Sequence, residues 1–307
     1  MPKQLYRVLL IVFSAVFLIS SGFVVNAVIQ SKKQQKQFDE LSNMVEQAQQ
    51  GLIPTPPITN NKPNDSNDTT TGETTETTET TDGTPSPEPT GPPSITGPVL
   101  QAPTHMIVKN PVTGQNVTVL REYAMIYAMN PDLVGWIKID GTKINYPVMQ
   151  TPDRPNYYLD RDFYGKNSVY GCIYAAEAAD INAPSDNITI YGHKMKDGSM
   201  FAALQDYKKK KFYESHPYIT FDTLNEHHTY QIISVFKIST TVNYNFPYHT
   251  FVDGNETSFA TFVKKCKDLS LYDTGIDAVY GDKLITLSTC DHTIRDGRLV
   301  VVAKRIS

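Results

Sequence analysis

The chain has 307 residues, of which 40% are hydrophobic and 20% are charged. Residues 1–100 hold 6 Lys and Arg against 10 Asp and Glu, whereas residues 101–307 hold 22 of each, so the formal net charge of −4 belongs to the N-terminal part. The remainder is electrically balanced and has no net basic composition, so we do not expect it to bind nucleic acid.

An uncharged apolar segment comes first, at residues 8–29. Its 22 residues are enough to cross a hydrocarbon core of about 30 Å as a helix. We therefore predict that residues 1–30 are a retained N-terminal membrane anchor. The alternative is a cleaved signal peptide, because Val25-Asn26-Ala27 could serve as a small-residue cleavage site.

A polar stretch at residues 31–118 is predicted to be a disordered, Thr/Pro-rich stalk. Residues 30–50 are polar and compatible with a helix, and residues 51–100 are dominated by Pro, Thr, Asn, Asp and Glu. The latter composition cannot bury enough apolar surface to offset the entropy of ordering. Fifty such residues would span about 40 Å as a coil. We interpret the stretch as a stalk that holds a catalytic head off a membrane; a passive spacer is the alternative.

The folded part is predicted at residues 119–307. Residues 120–129 and 256–269 carry apolar side chains at helical spacing. Short runs of β-branched and aromatic residues alternate with turn signals elsewhere, which indicates an antiparallel sandwich or barrel. The predicted strands are 134–139, 144–149, 188–191, 218–222, 229–238, 283–288 and 299–304.

The three cysteines differ in their settings. Cys266 lies on the apolar face of the second predicted helix and Cys172 in an apolar run, so both are interpreted as packing residues. Cys290 follows the strand-like run 284–287 and precedes the polar residues 291–293. A thiol at a strand end is both fixed and accessible, as a nucleophile must be. The alternative is an edge cysteine without a role.

Two segments resemble the catalytic motifs of the sortases. TLSTC at residues 286–290, followed by Arg298, resembles the sortase signature. IYGHKM at residues 190–195, followed by DGSMF at residues 197–201, resembles the histidine segment of the same family. The similarity extends over residues 120–307, and the motifs occur in the family's order.

Three further segments resemble class B sortases in particular. They are NPDLVGWI at residues 130–137, YPV at residues 146–148 and YYL at residues 157–159. One segment departs from the pattern: IYAAE at residues 173–177 stands where relatives tend to carry an Asp-Tyr-Arg element. The departure concerns the local surface and specificity rather than the catalytic residues.

The resemblance implies both a fold and an activity. The fold would be mainly β: a closed, sortase-type eight-stranded barrel with an N-terminal helix and a helix inserted before the last strands. The activity would be that of a cysteine transpeptidase of the hydrolase class, anchored in a membrane. It would cut a C-terminal sorting signal after Thr, form a thioester and pass the acyl group to an amine.

The resemblance also assigns roles to residues. Cys290 would be the nucleophile, His193 the general acid/base and Arg298 the group that stabilises the oxyanion and the substrate. Ser288 and Thr289 would line the substrate groove, although they could simply end a strand. With ordinary pKa values of about 8.5 for Cys and about 6.5 for His, the thiolate–imidazolium pair is a minor microstate, so slow turnover is expected.

His193 competes with six other histidines. Most of these are interpreted as surface residues, and His292 is the main competitor because positions two apart on a strand share a face. Polar Asp291 suggests that the strand ends before His292. The other histidines are His105, His216, His227, His228, His249 and His292.

Arg298 competes with Arg295, and the choice depends on strand register. A tight hairpin at Asp296-Gly297 would pair Arg295 with Arg298 and place Arg298 about 17 Å from Cys290 along the ladder. A seven-residue loop, 291–297, would instead bring Arg298 directly across from Cys290. The family pattern favours this second register.

The implied partners are a membrane, secreted proteins that carry a C-terminal sorting signal, and a peptidoglycan precursor or other amine acceptor. The location would be the cell membrane, single-pass, with the catalytic domain extracellular. No cofactor or metal is expected, since no Cys/His spacing indicates a metal site and no clear acidic cluster suggests calcium. The run 208–211 of four lysines is interpreted as a solvated face. Three alternatives remain open: a pilin-polymerising sortase, a non-catalytic membrane-tethered binding module, and a cysteine protease with water as the acceptor.

Overall fold

The structure, a computed structural model, describes residues 3–52, 104–242 and 245–307. A long helix, α1 (Lys3–Gln49), comes first, followed by a hairpin of β1 (His105–Lys109) and β2 (Asn116–Leu120). The barrel strands are β3 (Leu133–Lys138), β4 (Asn145–Met149), β5 (Ile173–Ala175), β6 (Asn187–Tyr191), β7 (Tyr218–Thr223), β8 (Thr229–Ser239), β9 (Leu284–Asp291) and β10 (Gly297–Arg305). The shorter helices are α2 (Ala124–Met129), α3 (Lys210–Ser215) and α4 (Glu256–Leu269), with an eight-residue 3₁₀ helix at Phe201–Lys208.

The eight strands β3–β10 close into a barrel in the order β10-β8-β7-β3-β4-β5-β6-β9, and β9 pairs with β10 to complete the ring. The predicted eight-stranded barrel with an N-terminal helix and a helix before the last strands is therefore confirmed. The expectation of a wholly antiparallel sheet is wrong for two pairs, since β4–β5 and β6–β9 are parallel. Parallel neighbours need long crossover connections, and short-range turn signals do not reveal such pairings.

The two faces of the last strands pack against different apolar clusters. Ile285 and Leu287 of β9 belong to the larger cluster, and Leu284 belongs to a second cluster that includes residues of α4. Successive side chains of a strand point to opposite faces, so even-numbered residues of β9 lie on the α4 side. The same side of the sheet carries Val300 and Val302 of β10.

Helix α4 has the bounds that the apolar spacing predicts. The Asn255 side chain accepts a hydrogen bond from the Ser258 backbone N–H at 3.0 Å, and the Ser258 hydroxyl accepts one from the Asn255 N–H at 2.9 Å. This reciprocal capping satisfies two backbone donors at the start of the helix. Phe259, Phe262 and Cys266 are buried, so the helix covers the outer face of the sheet.

Two parts of the predicted stalk are ordered elements in the structure. Helix α1 continues to Gln49, and the β1–β2 hairpin begins at His105, before the predicted domain start at residue 119. Along α1, the buried residues Phe38, Leu41 and Val45 repeat at helical spacing, although Gln, Lys and Glu surround them. The average composition concealed this stripe. The remainder of the stalk prediction, residues 53–103, lies outside the described residues.

The second half of α1 packs on the barrel. The Phe38 and Tyr146 rings meet edge to face, with centroids 5.0 Å apart. The Asn145 side-chain amide donates to the Ser42 hydroxyl at 2.6 Å, and the Arg121 guanidinium donates to the Ala48 carbonyl oxygen. One continuous helix therefore carries both the apolar N-terminal stretch and the surface that packs on the barrel.

Candidate active site

The parallel pairing of β6 with β9 brings His193 beside Cys290. The register aligns Ile188 with Ile285 and Tyr191 with Ser288. The Gly192 backbone N–H then donates to the Ser288 carbonyl oxygen at 3.2 Å, so the alignment extends past the end of β6. His193 is the next residue, and it lines the same cleft as Cys290.

The antiparallel pairing of β9 with β10 brings Arg298 to the other side of Cys290. Their Cα atoms are register partners, as are those of Asp291 and Gly297. This is the register that the sequence analysis favours, although β9 runs one residue further and the connecting loop is 292–296. A Cβ on Gly297 would collide with the Asp291 carbonyl oxygen, so a glycine is needed for this close pair. Asp296 takes the left-handed turn position, with φ of 47°.

Cys290, His193 and Arg298 line one cleft of about 440 Å³, together with Ser288 and residues of neighbouring loops. Cys290 and Arg298 lie on the outer, even-numbered face of β9 and β10, and His193 reaches the same cleft from the loop after β6. Cys290 is half-buried, whereas Cys172 and Cys266 are fully buried and unpaired. Burial raises the pKa of both buried thiols. Cys290 is therefore the accessible thiol of the described residues.

His193 is oriented by a backbone carbonyl. Its Nε2 lies 2.8 Å from the Leu159 oxygen, which can only accept, so Nε2 carries a proton and Nδ1 is the nitrogen that can exchange one in the neutral ring. Gly171 lets the Leu159 segment come this close, because a Cβ at residue 171 would collide with the Tyr158 and Leu159 carbonyl oxygens. The Phe201 N–H donates to the His193 oxygen at 2.9 Å.

Arg298 keeps its charge available to the cleft. Its Nη1 donates to the Gly297 carbonyl oxygen at 3.0 Å, and among the described residues no carboxylate oxygen lies within 4.0 Å of the guanidinium. Burial and the Arg298 charge lower the pKa of His249, which also lines the cleft. His249 was not expected in the cleft, because most of the histidines other than His193 were predicted to lie on the surface. It comes from a loop that periodicity does not place.

The two residues predicted to line the groove point in different directions. The Ser288 oxygen lies 2.7 Å from the Tyr248 hydroxyl oxygen, and both side chains are buried. Ser288 thus forms part of the floor beneath Cys290. Strand alternation directs the Thr289 side chain to the opposite face, where its hydroxyl has no hydrogen-bond partner among the described residues. Only the backbone of Thr289 is placed toward the cleft by this geometry.

A buried ion pair holds Asp291, the residue that follows Cys290. Asp291 is fully buried, and its Oδ2 lies 2.7 Å from Lys208 Nζ at the end of the 3₁₀ helix. The Gln205 amide of the same helix donates to the Cys290 carbonyl oxygen at 3.2 Å. Burial alone would raise the pKa of Asp291, but the Lys208 ammonium and hydrogen bonds from Thr293 lower it to about 2. Lys208 is therefore not part of the solvated face that the lysine run predicts, whereas Lys209, Lys210 and Lys211 are exposed.

Lys208→Met should destabilise the protein by about 3 kcal/mol at pH 7, because it leaves the buried Asp291 carboxylate without its cationic partner. The folded-state pKa of Asp291 lies below its ordinary value, so the stabilisation is present above about pH 4 and is lost as the pH falls toward 2. The difference between wild type and variant should shrink over that window. Denaturant unfolding of the full chain from pH 7 to pH 2 measures it.

The matched control is Lys210→Met, which removes an exposed lysine two residues away. It should change the free energy of unfolding by no more than about 0.5 kcal/mol. Equal effects of the two variants at all pH values would contradict the role of the ion pair.

The loop after His193 is tied to α1. Asp197 accepts hydrogen bonds from the Ser31 hydroxyl at 2.6 Å and from the Tyr170 hydroxyl at 2.9 Å. Burial opposes ionisation of Asp197, but bonds from Ser199, Ser31 and Tyr170 lower its pKa to about 2. The helix that carries the apolar stretch therefore contacts the same loop that carries His193.

The remaining competitors lie away from the cleft. His292 and Arg295 are exposed in the loop 292–296. His227 bridges Asp222 and Glu122, at 2.9 Å and 3.2 Å, beside a different pocket. Within the described ranges, no group of three or more His, Cys, Asp or Glu is placed to hold a metal ion.

Comparison with known proteins identifies the family of the chain. The family model described as "Sortase domain" matches residues 137–306. Sortase B of Staphylococcus aureus is 33% identical over 187 residues, which cover 60% of this chain and 75% of that protein. Sortase B of Listeria monocytogenes is 33% identical over 201 residues, covering 64% and 78%. A Staphylococcus aureus sortase B–substrate complex has a TM-score of 0.56 at 32% identity and covers 62% of this chain and 86% of that chain.

Proposed function

This chain belongs to the sortase family of transpeptidases, as a class B member, and on that premise we propose a specific reaction for it. It cleaves a C-terminal sorting signal after Thr, holds the acyl fragment as a thioester on Cys290, and transfers it to a cell-wall amine. His193 serves as the general acid/base and Arg298 as the oxyanion-stabilising group.

The observation that carries the proposal is that three residues from neighbouring parts of the barrel line one cleft. Cys290 on β9 has Arg298 as its register partner on β10, and His193 follows β6, the strand that pairs with β9 on the other side. Neighbouring strands are about 4.8 Å apart, so side chains on the same face can reach a common substrate. A thiol, a proton carrier and a cation are the three groups that acyl transfer needs.

The first half of the reaction forms the thioester. The Cys290 thiolate attacks the Thr carbonyl carbon, and Arg298 stabilises the negative charge that develops on the carbonyl oxygen. His193 then donates a proton to the leaving amine as the C–N bond breaks. The departing segment is a free amine, and the acyl group stays on sulfur.

The second half transfers the acyl group. The acceptor amine attacks the thioester carbonyl, Arg298 again stabilises the oxyanion, and His193 takes the proton that the amine loses. The C–S bond breaks and regenerates the thiolate. Ser288, fixed by Tyr248, and the Thr289 backbone would form the wall along which the sorting signal lies.

We assign the protein to the cell membrane, single-pass, with the barrel outside. The described residues include one helix long and apolar enough to cross a membrane, and its apolar window is wholly exposed. Because the second half of α1 packs on the barrel, the cleft would work close to the membrane surface. Substrates that are themselves held at that surface would then meet it at high local concentration.

The experiment follows the fate of a donor peptide. The full chain in detergent is incubated with an internally quenched peptide library carrying one fixed Thr, with and without triglycine as the amine. We expect cleavage after Thr in both cases, and a peptide bond between the Thr acyl group and triglycine when the amine is present.

Other products would contradict the proposal. Hydrolysis that triglycine and lysine amines leave unchanged would identify a cysteine protease. A lysine-linked product formed in preference to the triglycine product would favour pilin polymerisation. No cleavage, with retained peptide binding, would identify a non-catalytic module.

A further inference from the structure

The cleft around Cys290 contains one carboxylate among its described lining residues, that of Glu177. The other charged or titratable groups on the wall include Arg298, His193 and His249. The cleft therefore has a cationic side next to the nucleophile and a single anionic group elsewhere. An isolated negative charge in a binding cleft needs an explanation, because partial burial of a charge without a partner costs free energy.

The Glu177 carboxylate is held in place by the backbone. Its Oε1 accepts a hydrogen bond from the Asn156 N–H at 2.6 Å. Asn156 sits in the left-handed region, with φ of 57°, and its side-chain oxygen accepts from the Tyr174 hydroxyl at 3.1 Å. Asn156 thus holds the Glu177 carboxylate through its backbone, and Tyr174 of β5 holds the Asn156 side chain.

No cation of the described residues neutralises this charge. No Lys, Arg or His nitrogen among them lies within 4.0 Å of a Glu177 carboxylate oxygen, and the residue is half-buried. Its recorded hydrogen bond uses Oε1, so Oε2 is left for a ligand. The Glu177 carboxylate is therefore positioned to pair with a cationic group of a ligand.

Tyr174 links the two sides of the cleft. Burial is the main reason that the pKa of its hydroxyl is raised; the Glu177 charge raises it further and the Arg298 charge lowers it. The Tyr174 hydroxyl is thus within electrostatic reach of both charges. A substrate that spans the Tyr174 ring would have its reacting carbonyl near Arg298 and another group near Glu177.

We propose that Glu177 recognises an ammonium group of the substrate and so makes this enzyme selective for a cationic reactant. The inference rests on the proposed transpeptidation. The ammonium can come from a basic side chain of the sorting signal or from the amine acceptor. Both present the same chemistry, a hydrogen-bonding cation for a fixed carboxylate, which is stronger than a neutral hydrogen bond.

The test compares wild type with Glu177→Gln. Glutamine keeps a side-chain oxygen for the Asn156 N–H and removes only the charge, so the loop geometry should survive. In the donor arm, thioester formation is followed with paired peptides that carry lysine or uncharged norleucine at each position flanking the Thr. In the acceptor arm, aminolysis of a preformed thioester is followed with lysinamide or norleucinamide.

The expected result is a ratio. Wild type should prefer the lysine reactant over the norleucine reactant by about 10-fold in one arm, as a charge-assisted hydrogen bond in a half-buried site predicts. In Glu177→Gln the ratio should fall to about 1, and in Glu177→Lys below 1. Asp160→Asn, which removes an exposed carboxylate outside the cleft lining, should keep the wild-type ratio.

The contradicting results are distinct. Equal lysine-to-norleucine ratios for wild type and Glu177→Gln in both arms would overturn the assignment of Glu177, while transpeptidation itself would stand. Failure of wild type to acylate with any peptide would overturn the proposed function and this inference together. The arm that shows the preference identifies the source of the ammonium.

Discussion

Cys290→Ala is expected to lower turnover of a cleavable sorting-signal peptide by at least about 10⁴-fold, since the other thiol that lines the cleft, Cys172, is buried. The variant should fold normally, because the thiol is half-buried at a strand end and makes no recorded hydrogen bond through its sulfur. Turnover and thermal unfolding of the full chain are measured side by side.

The other thiols provide the controls. Cys266→Ala removes a thiol that is buried against α4, so it should lower stability and leave turnover within about 2-fold of wild type. Iodoacetamide should modify only Cys290 in the folded protein and all three thiols in denaturant, as peptide mapping by mass spectrometry would show. Full activity of Cys290→Ala, or loss of activity in Cys266→Ala without loss of the folded state, contradicts the assignment.

Arg298→Ala is expected to lower kcat/KM by about 10³-fold, the upper range for removing one oxyanion-stabilising donor. The loss should fall mainly on kcat, because the interaction forms with the charge of the transition state. Arg298→Lys should recover only part of the rate, since a lysine keeps the charge but not the planar guanidinium fork.

Arg295→Ala is the matched control for register. Arg295 lies three residues earlier and its side chain is 85% exposed. If Arg298 faces Cys290 across β9 and β10, removal of Arg295 should change kcat/KM by less than about 2-fold. A larger loss for Arg295→Ala than for Arg298→Ala would contradict the paired register in solution.

The barrel and the grouping of Cys290, His193 and Arg298 could be predicted from the sequence by its resemblance to a family. The strand pairings that place Arg298 and His193 differ in how far local patterns reveal them. The register of Arg298 was a choice between two loop lengths, and the structure has the longer separation. Gly297 explains why: without a side chain it can pair with Asp291, so the turn at Asp296 lies inside the loop. The position of His193 depends on the parallel pairing of β6 with β9, whose partners, such as Asn187 and Leu284, are 97 residues apart; no local pattern reveals such a pairing.

Other features depend on contacts that composition averages hide. The packed half of α1 has its apolar stripe diluted by polar neighbours, so the stretch resembled a linker. Lys208 belongs to a lysine run, yet it pairs with Asp291 because β9 turns that carboxylate away from Cys290. The available clue was Asp291 itself. A carboxylate that directly follows a buried apolar run needs a cationic partner if it is buried as well.

Glu177, Tyr248 and His249 could not be placed from the sequence. They reach the cleft from loops and strand ends whose paths are set by tertiary packing. The departure at residues 173–177 from the class B pattern did mark the segment that carries Glu177. It indicated where the surface would differ, but not that the difference would put a carboxylate into the cleft.

The most direct test of the account is the mass of the acyl-enzyme. The full chain is mixed with a cleavable peptide, quenched in acid and analysed intact and after digestion. We expect an added mass equal to that of the donor-peptide portion ending in Thr, located on the proteolytic fragment of the protein that contains Cys290. Hydroxylamine should remove this adduct, and Cys290→Ala should not form it. An adduct on another residue would contradict the thioester on Cys290. So would peptide cleavage that gives neither an adduct on the protein nor a hydroxamate when hydroxylamine is added.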